Sequence, residues 1–375
     1  ESRYGPQETH VGIQRFFFLG DTDKFNRKET RNSLMNITQS INFGGTQSIK
    51  QLAPRHSVYL VDLGAGKCVI KQDLINSNRH AMNPASIMNA IDPSAHSRTL
   101  GKQELMQLRD WATGNKTFME VEDHGYFMKI VNDALKPPTV PRPGMPGQSQ
   151  QSGAWTVMQA KGNLHDLESA AEKRLAGNKA GVKAITEKLR APGGLEKIGE
   201  IVAVDAFNSY GDRVDFDGNG GKKVDGFDTR CKCLWNPGNF FVVGNEGVLG
   251  LDAIDPNTEF NNWEKMPDIP TGSVYSGTFL RRDNAQARMN LCRMIHEDFE
   301  LLLGPRNRRG VYKVVGAKHR LPKDSTQRLC RGMESGAQKI LAHLQKRFIN
   351  GQIPMGLKQR LDKIGWLTRR NFPRI

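Results

Sequence analysis

Residues 239–252 read NFFVVGNEGVLGLD, and this stretch decides the predicted fold. Two apolar runs, Phe240–Val243 and Gly247–Leu251, flank a Gly-Asn-Glu turn, which is typical of a β-hairpin. Asn239 precedes the first strand and Asp252 follows the second. Because the outer ends of two hairpin strands lie side by side, an amide and a carboxylate are predicted to meet at one end of the hairpin.

A predicted helix precedes this hairpin and ends in a further acidic residue. Gly194–Asn208 repeats apolar residues at helical spacing, and Tyr210-Gly-Asp-Arg213 follows it, so Asp212 lies just beyond the helix. Transfer of a phosphoryl group from ATP requires a cation on the phosphates, oxygen ligands for Mg²⁺ and a carboxylate near the incoming hydroxyl. The order of helix, Asp, loop, Asn, hairpin and Asp supplies the oxygen-bearing side chains.

A second hairpin is predicted near the N-terminal end of the sequence. Ser57–Asp62 and Lys67–Lys71 are β-rich runs joined by Leu-Gly-Ala-Gly. Side chains alternate along a strand, so Val69 and Lys71 are expected on one face, where Lys71 would point into a cleft beside an apolar floor.

The remaining pattern predicts further strands and helices. We expect a helix over 97–112 that begins at Ser97 or Thr99, strands over 125–131 and 154–158, and a Pro-rich exposed loop over 136–153. Helical spacing continues over 166–190 and 325–349. The Asn239–Asp252 hairpin interrupts this helical part.

These elements predict an α+β fold with two lobes and a cleft near residue 160. Residues 1–34 read as a polar tail, 35–158 as a β-rich N-lobe, and 159–375 as a mainly helical C-lobe with a basic helical segment at 301–375.

The arrangement resembles the catalytic and metal-binding loops of the protein-kinase-like superfamily. It is most similar to the atypical members, of the phosphoinositide-kinase and HipA toxin-kinase types. The resemblance implies a bilobal kinase-like fold in which Asp212 is the catalytic aspartate, Asn239 and Asp252 are Mg²⁺ ligands, and Lys71 binds the ATP phosphates.

The resemblance also implies cofactor-binding roles for residues of the N-lobe. Glu104, on the predicted helix, is implied to pair with Lys71. Gly44–Gly45, just before the first hairpin, stands where kinases have a glycine-rich loop. The strand that ends near residue 158 resembles the last N-lobe strand and hinge, where Met158 and Ala160 would hold adenine.

The long insert Val214–Gly238 leaves some assignments open. It places 26 residues between Asp212 and Asn239, where relatives have about five. The insert must therefore loop out if Asn239 is to be the second metal ligand. Asn219 and Asn208 are the alternatives.

Two further acidic patterns compete with the metal assignment. Asp255 is a rival of Asp252 for the metal. An EF-hand-like Ca²⁺ loop that begins at Asp215 has Gly226 in place of the bidentate Glu at position twelve, so we interpret it as a surface loop.

The implied activity is ATP- and Mg²⁺-dependent phosphorylation of a hydroxyl, on a protein rather than on a lipid. One alternative is a pseudokinase or adaptor that docks on acidic partners through the basic segment. Another is AMPylation, the transfer of a different group of ATP. Resemblance to bacterial kinases would fit an effector, located in the cytoplasm or secreted into a host cytoplasm.

The positive charge of the chain is confined to its C-terminal segment. The net charge is +15, and residues 301–375 hold 18 Lys+Arg and 3 Asp+Glu, so the rest of the chain balances to zero. Such a segment predicts contact with an acidic surface, whether phospholipid, nucleic acid or protein, or else a solvated basic face. Four aromatic residues lie among its cations: Tyr312, Phe348, Trp366 and Phe372.

Other classes of protein are disfavoured by the sequence. No apolar run approaches the roughly 20 residues of a transmembrane helix. The five cysteines are scattered and are interpreted as reduced thiols. No Gly-x-Ser-x-Gly motif follows a strand, so a serine hydrolase of that type is excluded.

Overall fold

A computed structural model shows an α+β fold built from two compact units. The structure describes residues 37, 39–52, 57–73, 97–136, 154–160, 164–208, 211, 213–216, 220–227, 229–243, 277–304 and 321–374. The described residues up to 160 form the first unit, and those from 164 onward form the second. No helix within these ranges is long and apolar enough to cross a membrane.

The first unit is a six-stranded sheet with two helices. Its elements are β1 (Ser48–Gln51), β2 (Val58–Asp62), β3 (Lys67–Asp73), β4 (Ser97–Thr99), α1 (Lys102–Gly114), β5 (Met119–Glu120), α2 (His124–Leu135) and β6 (Ala154–Gln159). The strand order is β4-β6-β3-β2-β1-β5, antiparallel except for the β1–β5 pair. The predicted hairpin over 57–71 is confirmed as β2 and β3.

Two sequence-based predictions in this unit are wrong. Residues 125–131, predicted as a strand, lie in α2, because Asp123 accepts a hydrogen bond from the Tyr126 backbone at the helix start and Phe127, Ile130 and Val131 are buried at helical spacing. Residues 97–112, predicted as one helix, begin with the strand β4 that pairs with β6, and α1 begins only at residue 102.

The second unit is mainly helical. Its elements are β7 (Leu164–Asp166), α3 (Leu167–Leu175), α4 (Ala180–Arg190), α5 (Gly194–Asn208), β8 (Phe241–Val243), α6 (Ala285–Leu303), α7 (Ser325–Arg347) and α8 (Met355–Ile364). Strands β7 and β8 pair antiparallel, with Leu164 opposite Val243. Helix α5 has the predicted boundaries, and α7 lies within the predicted range 325–349.

Helices α5 and α7 pack with their backbones in close approach. A Cβ atom on Gly199 would lie 2.1 Å from the Leu329 carbonyl oxygen, and one on Gly332 would lie 2.0 Å from the Glu196 carbonyl oxygen. Only glycine fits at both positions. Helix α5 is therefore the central helix of the unit, and twelve of its fifteen residues are buried.

Candidate functional site

The sheet of the first unit has two different faces. One face packs against α1 and α2 in a continuous apolar core that includes Tyr59, Ile70 and Val157. Residues directly opposite each other in neighbouring strands point to the same side. The pairs of Lys71 with Val58 and Thr156, and of Val69 with Leu60 and Met158, therefore define the other face. We call it the Lys71 face: Val58, Leu60, Val69, Lys71, Thr156 and Met158.

Lys71 is buried on this face, as its position in the central strand β3 dictates. The residue is only 7% exposed, which is uncommon for lysine. Val58, Val69 and Met158 beside it are also buried but lie outside the helix-facing core. The Lys71 face thus sets one ammonium group against an apolar floor, which is the arrangement predicted for Val69 and Lys71.

Glu104 has a different partner from the one predicted. Its carboxylate binds the Arg98 guanidinium in a bidentate pair, with Nη2–Oε1 at 2.6 Å and Nη1–Oε2 at 2.7 Å. It also accepts hydrogen bonds from the backbone N–H groups of Ile41 and Gly101. Arg98 lies opposite Val157 and hence on the helix-facing side of the sheet.

The predicted Lys71–Glu104 pair is therefore corrected to an Arg98–Glu104 pair. Lys71 belongs to the sheet face that points away from α1, whereas Glu104 belongs to α1 itself. Arg98 can reach Glu104 because β4 pairs with β6. The sequence pattern had predicted a helix over the residues of β4. A strand prediction at Ser97–Thr99 would have revealed the Arg98–Glu104 pair.

The Gly44–Gly45 pair lies far along the sheet from Lys71. This pair forms a short turn that leads into β1, whose first residue, Ser48, pairs with Asp62. Asp62 pairs with Lys67, four positions before Lys71, so about 13 Å of strand intervenes. The structure does not place these glycines next to Lys71, and their implied role in cofactor binding stays a prediction.

Ser57, the residue before β2, lies at the Lys71 end of the sheet. The Ser57 carbonyl accepts a hydrogen bond from the Gln72 backbone at 2.9 Å, directly beside Lys71. Val58 pairs with Lys71, so the residue before Val58 must lie at the Lys71 end of the sheet. Counting strand positions back from the hairpin turn would have predicted this from the sequence.

Met158 and Ala160 lie at the end of the sheet where the first unit finishes. The Met158 side chain belongs to the Lys71 face, while its backbone lies between β3 and β4 within the sheet. The Ala160 N–H donates a long hydrogen bond, 3.4 Å, to the Lys67 carbonyl. The Met158 side chain is buried on the Lys71 face, and the role of Met158 and Ala160 in holding adenine stays a prediction.

In the second unit the long insert returns to its starting point. Val214 and Leu234 form an antiparallel bridge, and the Trp235 N–H donates to the Arg213 carbonyl at 3.0 Å. The insert therefore loops out, as the predicted role of Asn239 requires. Arg213, the residue after Asp212, ends up close in space to the chain that leads into Asn239.

Two buried carboxylates fix this closure. Asp205 of α5 binds the Arg213 guanidinium in a bidentate pair, with Nε–Oδ2 at 2.9 Å and Nη2–Oδ1 at 3.0 Å. Asp298 of α6 accepts hydrogen bonds from the backbone N–H groups of Lys232, Cys233 and Leu234. Both carboxylates are 1% exposed, so the closure is held in the dry interior of the unit.

Two amide side chains flank the closed insert. Asn239 ends a short 3₁₀ turn just before β8 and is half-buried. Asn208 ends α5 and is buried, and among the described residues its Oδ1 has no hydrogen-bond donor. A buried amide oxygen of this kind requires an explanation such as a bound ion or water, so Asn208 stays a rival of Asn239 as a metal ligand.

One buried acid near Asn239, Asp166, was not predicted from the sequence. Asp166 lies opposite Phe241 at the start of β8, and its side chain accepts a hydrogen bond from the Ser169 backbone as the N-cap of α3. Burial raises the pKa of Asp166 to about 6. An Asp before a Leu-Glu-Ser helix start is a recognisable cap, so the helical signal contained this residue.

Several predicted site residues lie outside the described residues: Asp212, Asp252, Asp255, Asn219 and the predicted strand Gly247–Leu251. Within the described ranges, no group of three or more His, Cys, Asp or Glu side chains forms a metal site. The roles of Asp212 and Asp252 therefore stay predictions.

Comparisons with protein-family models, with curated proteins and with solved structures give no match for this chain.

Proposed function

We propose that this protein is an ATP- and Mg²⁺-dependent phosphotransferase with a bilobal kinase-like fold, acting on a hydroxyl group of a protein. The observation that carries the proposal is the burial of Lys71 on a sheet face whose other side chains, apart from Thr156, are apolar. An ammonium beside an apolar floor matches a ligand with a flat base at one end and phosphates at the other.

Each residue of the Lys71 face has a role in this proposal. Val58, Val69 and Met158 would pack against the adenine ring, because aliphatic side chains bury aromatic rings without competing hydrogen bonds. Lys71 would bind phosphate oxygens. Thr156, opposite Lys71 in β6, would keep a hydroxyl near the ammonium.

The second unit would supply the metal ligands and the catalytic base. Asp212 would orient the incoming hydroxyl, and Asn239 and Asp252 would hold Mg²⁺, which neutralises phosphate charge when bound. The closure of the insert at Arg213 supports this assignment, because it removes the objection raised by the length of the insert.

The test is incubation of the protein with Mg²⁺ and ATP labelled either at the γ- or at the α-phosphate, with a protein acceptor. We expect γ-label on protein from the wild type. We expect Lys71→Met to lower transfer about 100-fold or more, because it removes the cation on the phosphates.

The matched control is Lys50→Met. Lys50 belongs to the same sheet, but its side chain is 51% exposed and pairs with Glu120 at 3.0 Å, so this variant should transfer label at the wild-type rate. Transfer of α-label would replace phosphorylation by AMPylation. Nucleotide binding without any transfer would indicate a pseudokinase, and wild-type transfer by Lys71→Met would refute the assignment of the face.

A further inference from the structure

The turn between α7 and α8 exposes two large aliphatic side chains. Ile349 is 68% exposed and Met355 is 71% exposed, the two highest values among the exposed large hydrophobic residues of the described chain. Between them Ile353 is buried, so the turn is a fixed part of the fold. Their exposure leaves both side chains available to contact an external surface.

Cations flank these two side chains in the sequence. Lys346 and Arg347 precede Ile349 at the end of α7, and Lys358 lies one turn beyond Met355 on α8; all three are exposed. The Arg374 backbone packs so closely on Gly351 that a Cβ there would lie 2.4 Å from the Arg374 carbonyl oxygen. We call this surface the basic corner: Lys346, Arg347, Ile349, Met355, Lys358 and Arg374.

The wider segment has the same sign of charge. Residues 346–374 hold eight Lys and Arg and one acidic residue, Asp362. Of these cations Arg360 is buried, where it donates a hydrogen bond to the Phe207 carbonyl at the end of α5. The cations of the basic corner are exposed and can face an external partner.

Nucleic acid is a poor match for the basic corner. Binding to single-stranded nucleic acid relies on exposed aromatic rings that stack on bases. Here Phe372 is 3% exposed, Trp366 stacks on Phe207 with centroids 5.9 Å apart, and Phe348 packs against the core. The exposed apolar groups are aliphatic, and phosphate contacts do not need them.

We propose that the basic corner binds the surface of an anionic phospholipid membrane. Ile349 and Met355 enter the boundary between headgroups and acyl chains, and Lys346, Arg347, Lys358 and Arg374 lie against the anionic headgroups. Apolar side chains together with nearby cations are the combination that interfacial binding requires. The inference is independent of phosphoryl transfer.

The experiment is sedimentation of the full chain with vesicles of phosphatidylcholine alone or with one-fifth phosphatidylserine. We expect binding to the anionic vesicles that weakens with salt, and much weaker binding to the neutral ones. The double variant Ile349→Ser/Met355→Ser should bind anionic vesicles about tenfold less tightly or worse, because the apolar contribution is lost. Thermal unfolding of this variant should match the wild type, since both side chains are exposed.

The matched control is Phe118→Ser, which removes a 58% exposed apolar side chain of the first unit and should leave vesicle binding unchanged. The proposal is overturned if the double variant binds like the wild type or if anionic vesicles are not bound. It is also overturned if duplex DNA displaces the vesicles and binds both forms equally, which would assign the basic corner to nucleic acid.

Discussion

Glu104 in the first unit and Asp166 in the second are both buried carboxylates at the start of a helix, yet their pKa values shift in opposite directions. Burial on its own raises the pKa of Glu104, but the Arg98 guanidinium and the backbone N–H groups of Ile41 and Gly101 outweigh it and lower the pKa. For Asp166, burial dominates over the Ser169 hydrogen bonds and raises the pKa to about 6.

The difference between the two carboxylates is the presence of a bound guanidinium. Helix position favours a negative charge in both cases, so helix position does not decide the sign. The ion pair with Arg98 outweighs the desolvation of the Glu104 carboxylate. The hydrogen bonds to Asp166 come from Ser169 alone and do not outweigh its desolvation. The two units therefore contribute opposite pH dependences to the stability of the protein.

The largest effect is expected for Glu104→Gln. The substitution removes the charge that faces Arg98 and sets an amide N–H where a hydrogen-bond acceptor is needed, so the free energy of unfolding at pH 7 should fall by about 2–3 kcal/mol. Because its pKa is lowered, Glu104 contributes stability above its ordinary pKa of 4.5 and loses it as the pH falls further. Urea unfolding at pH 7 and at pH 3.5 should show a smaller difference at the lower pH.

The same variant also tests the separation of Glu104 from Lys71. Since Glu104 pairs with Arg98 on the opposite face of the sheet, Glu104→Gln should keep the nucleotide affinity of the wild type at temperatures where it is folded. A loss of affinity as large as that of Lys71→Met would restore the pairing predicted from the sequence.

A smaller effect of opposite sign is expected for Asp166→Asn. Asparagine keeps the side-chain oxygen that caps α3 but has no charge to bury. Because its pKa is raised, Asp166 contributes its full stability below 3.8 and loses it as the pH rises through about 6. The variant should therefore be more stable than the wild type by about 1–2 kcal/mol at pH 8 and equal to it near pH 3.5. Equal stabilities at pH 8 would contradict the comparison.

The smallest effect is expected for Asp123→Asn. Asp123 also caps a helix, α2, by accepting a hydrogen bond from the Tyr126 backbone at 2.9 Å, but it is exposed. Asparagine caps equally well, so the free energy of unfolding should change by less than about 0.5 kcal/mol between pH 4 and pH 8. A change as large as that of Asp166→Asn would show that cap position, rather than burial, governs these residues.

Local sequence patterns predicted the elements that carry strong periodicity. The glycine-containing turn predicted the β2–β3 hairpin. Apolar residues at helical spacing predicted α5. The stretch Gly125–Val131 was wrongly predicted as a strand because its Tyr, Phe, Ile and Val favour strands. The Asp123 cap and the spacing of Phe127 and Val131 decide for a helix.

Those features of the candidate site that follow from a single strand were predicted from the sequence. Those features that depend on which strands pair were not. Side chains alternate between the two faces along β3, and this local property predicts that Val69 and Lys71 share one face. The Arg98–Glu104 pair and the distance from Gly44–Gly45 to Lys71 depend on which strands are neighbours, and a single sequence does not encode this in a short window.

The close approach of α5 and α7 has a consequence for how the chain is made. Ser325 follows Asn208 by 117 positions, so at ribosomal rates of about 5–20 residues per second α5 is complete on the order of ten seconds before its glycine-matched partner begins to emerge. During that time the apolar surface of α5 has no α7 to cover it. Newly made chains of this protein therefore keep this surface uncovered by α7 until translation reaches the C-terminal segment.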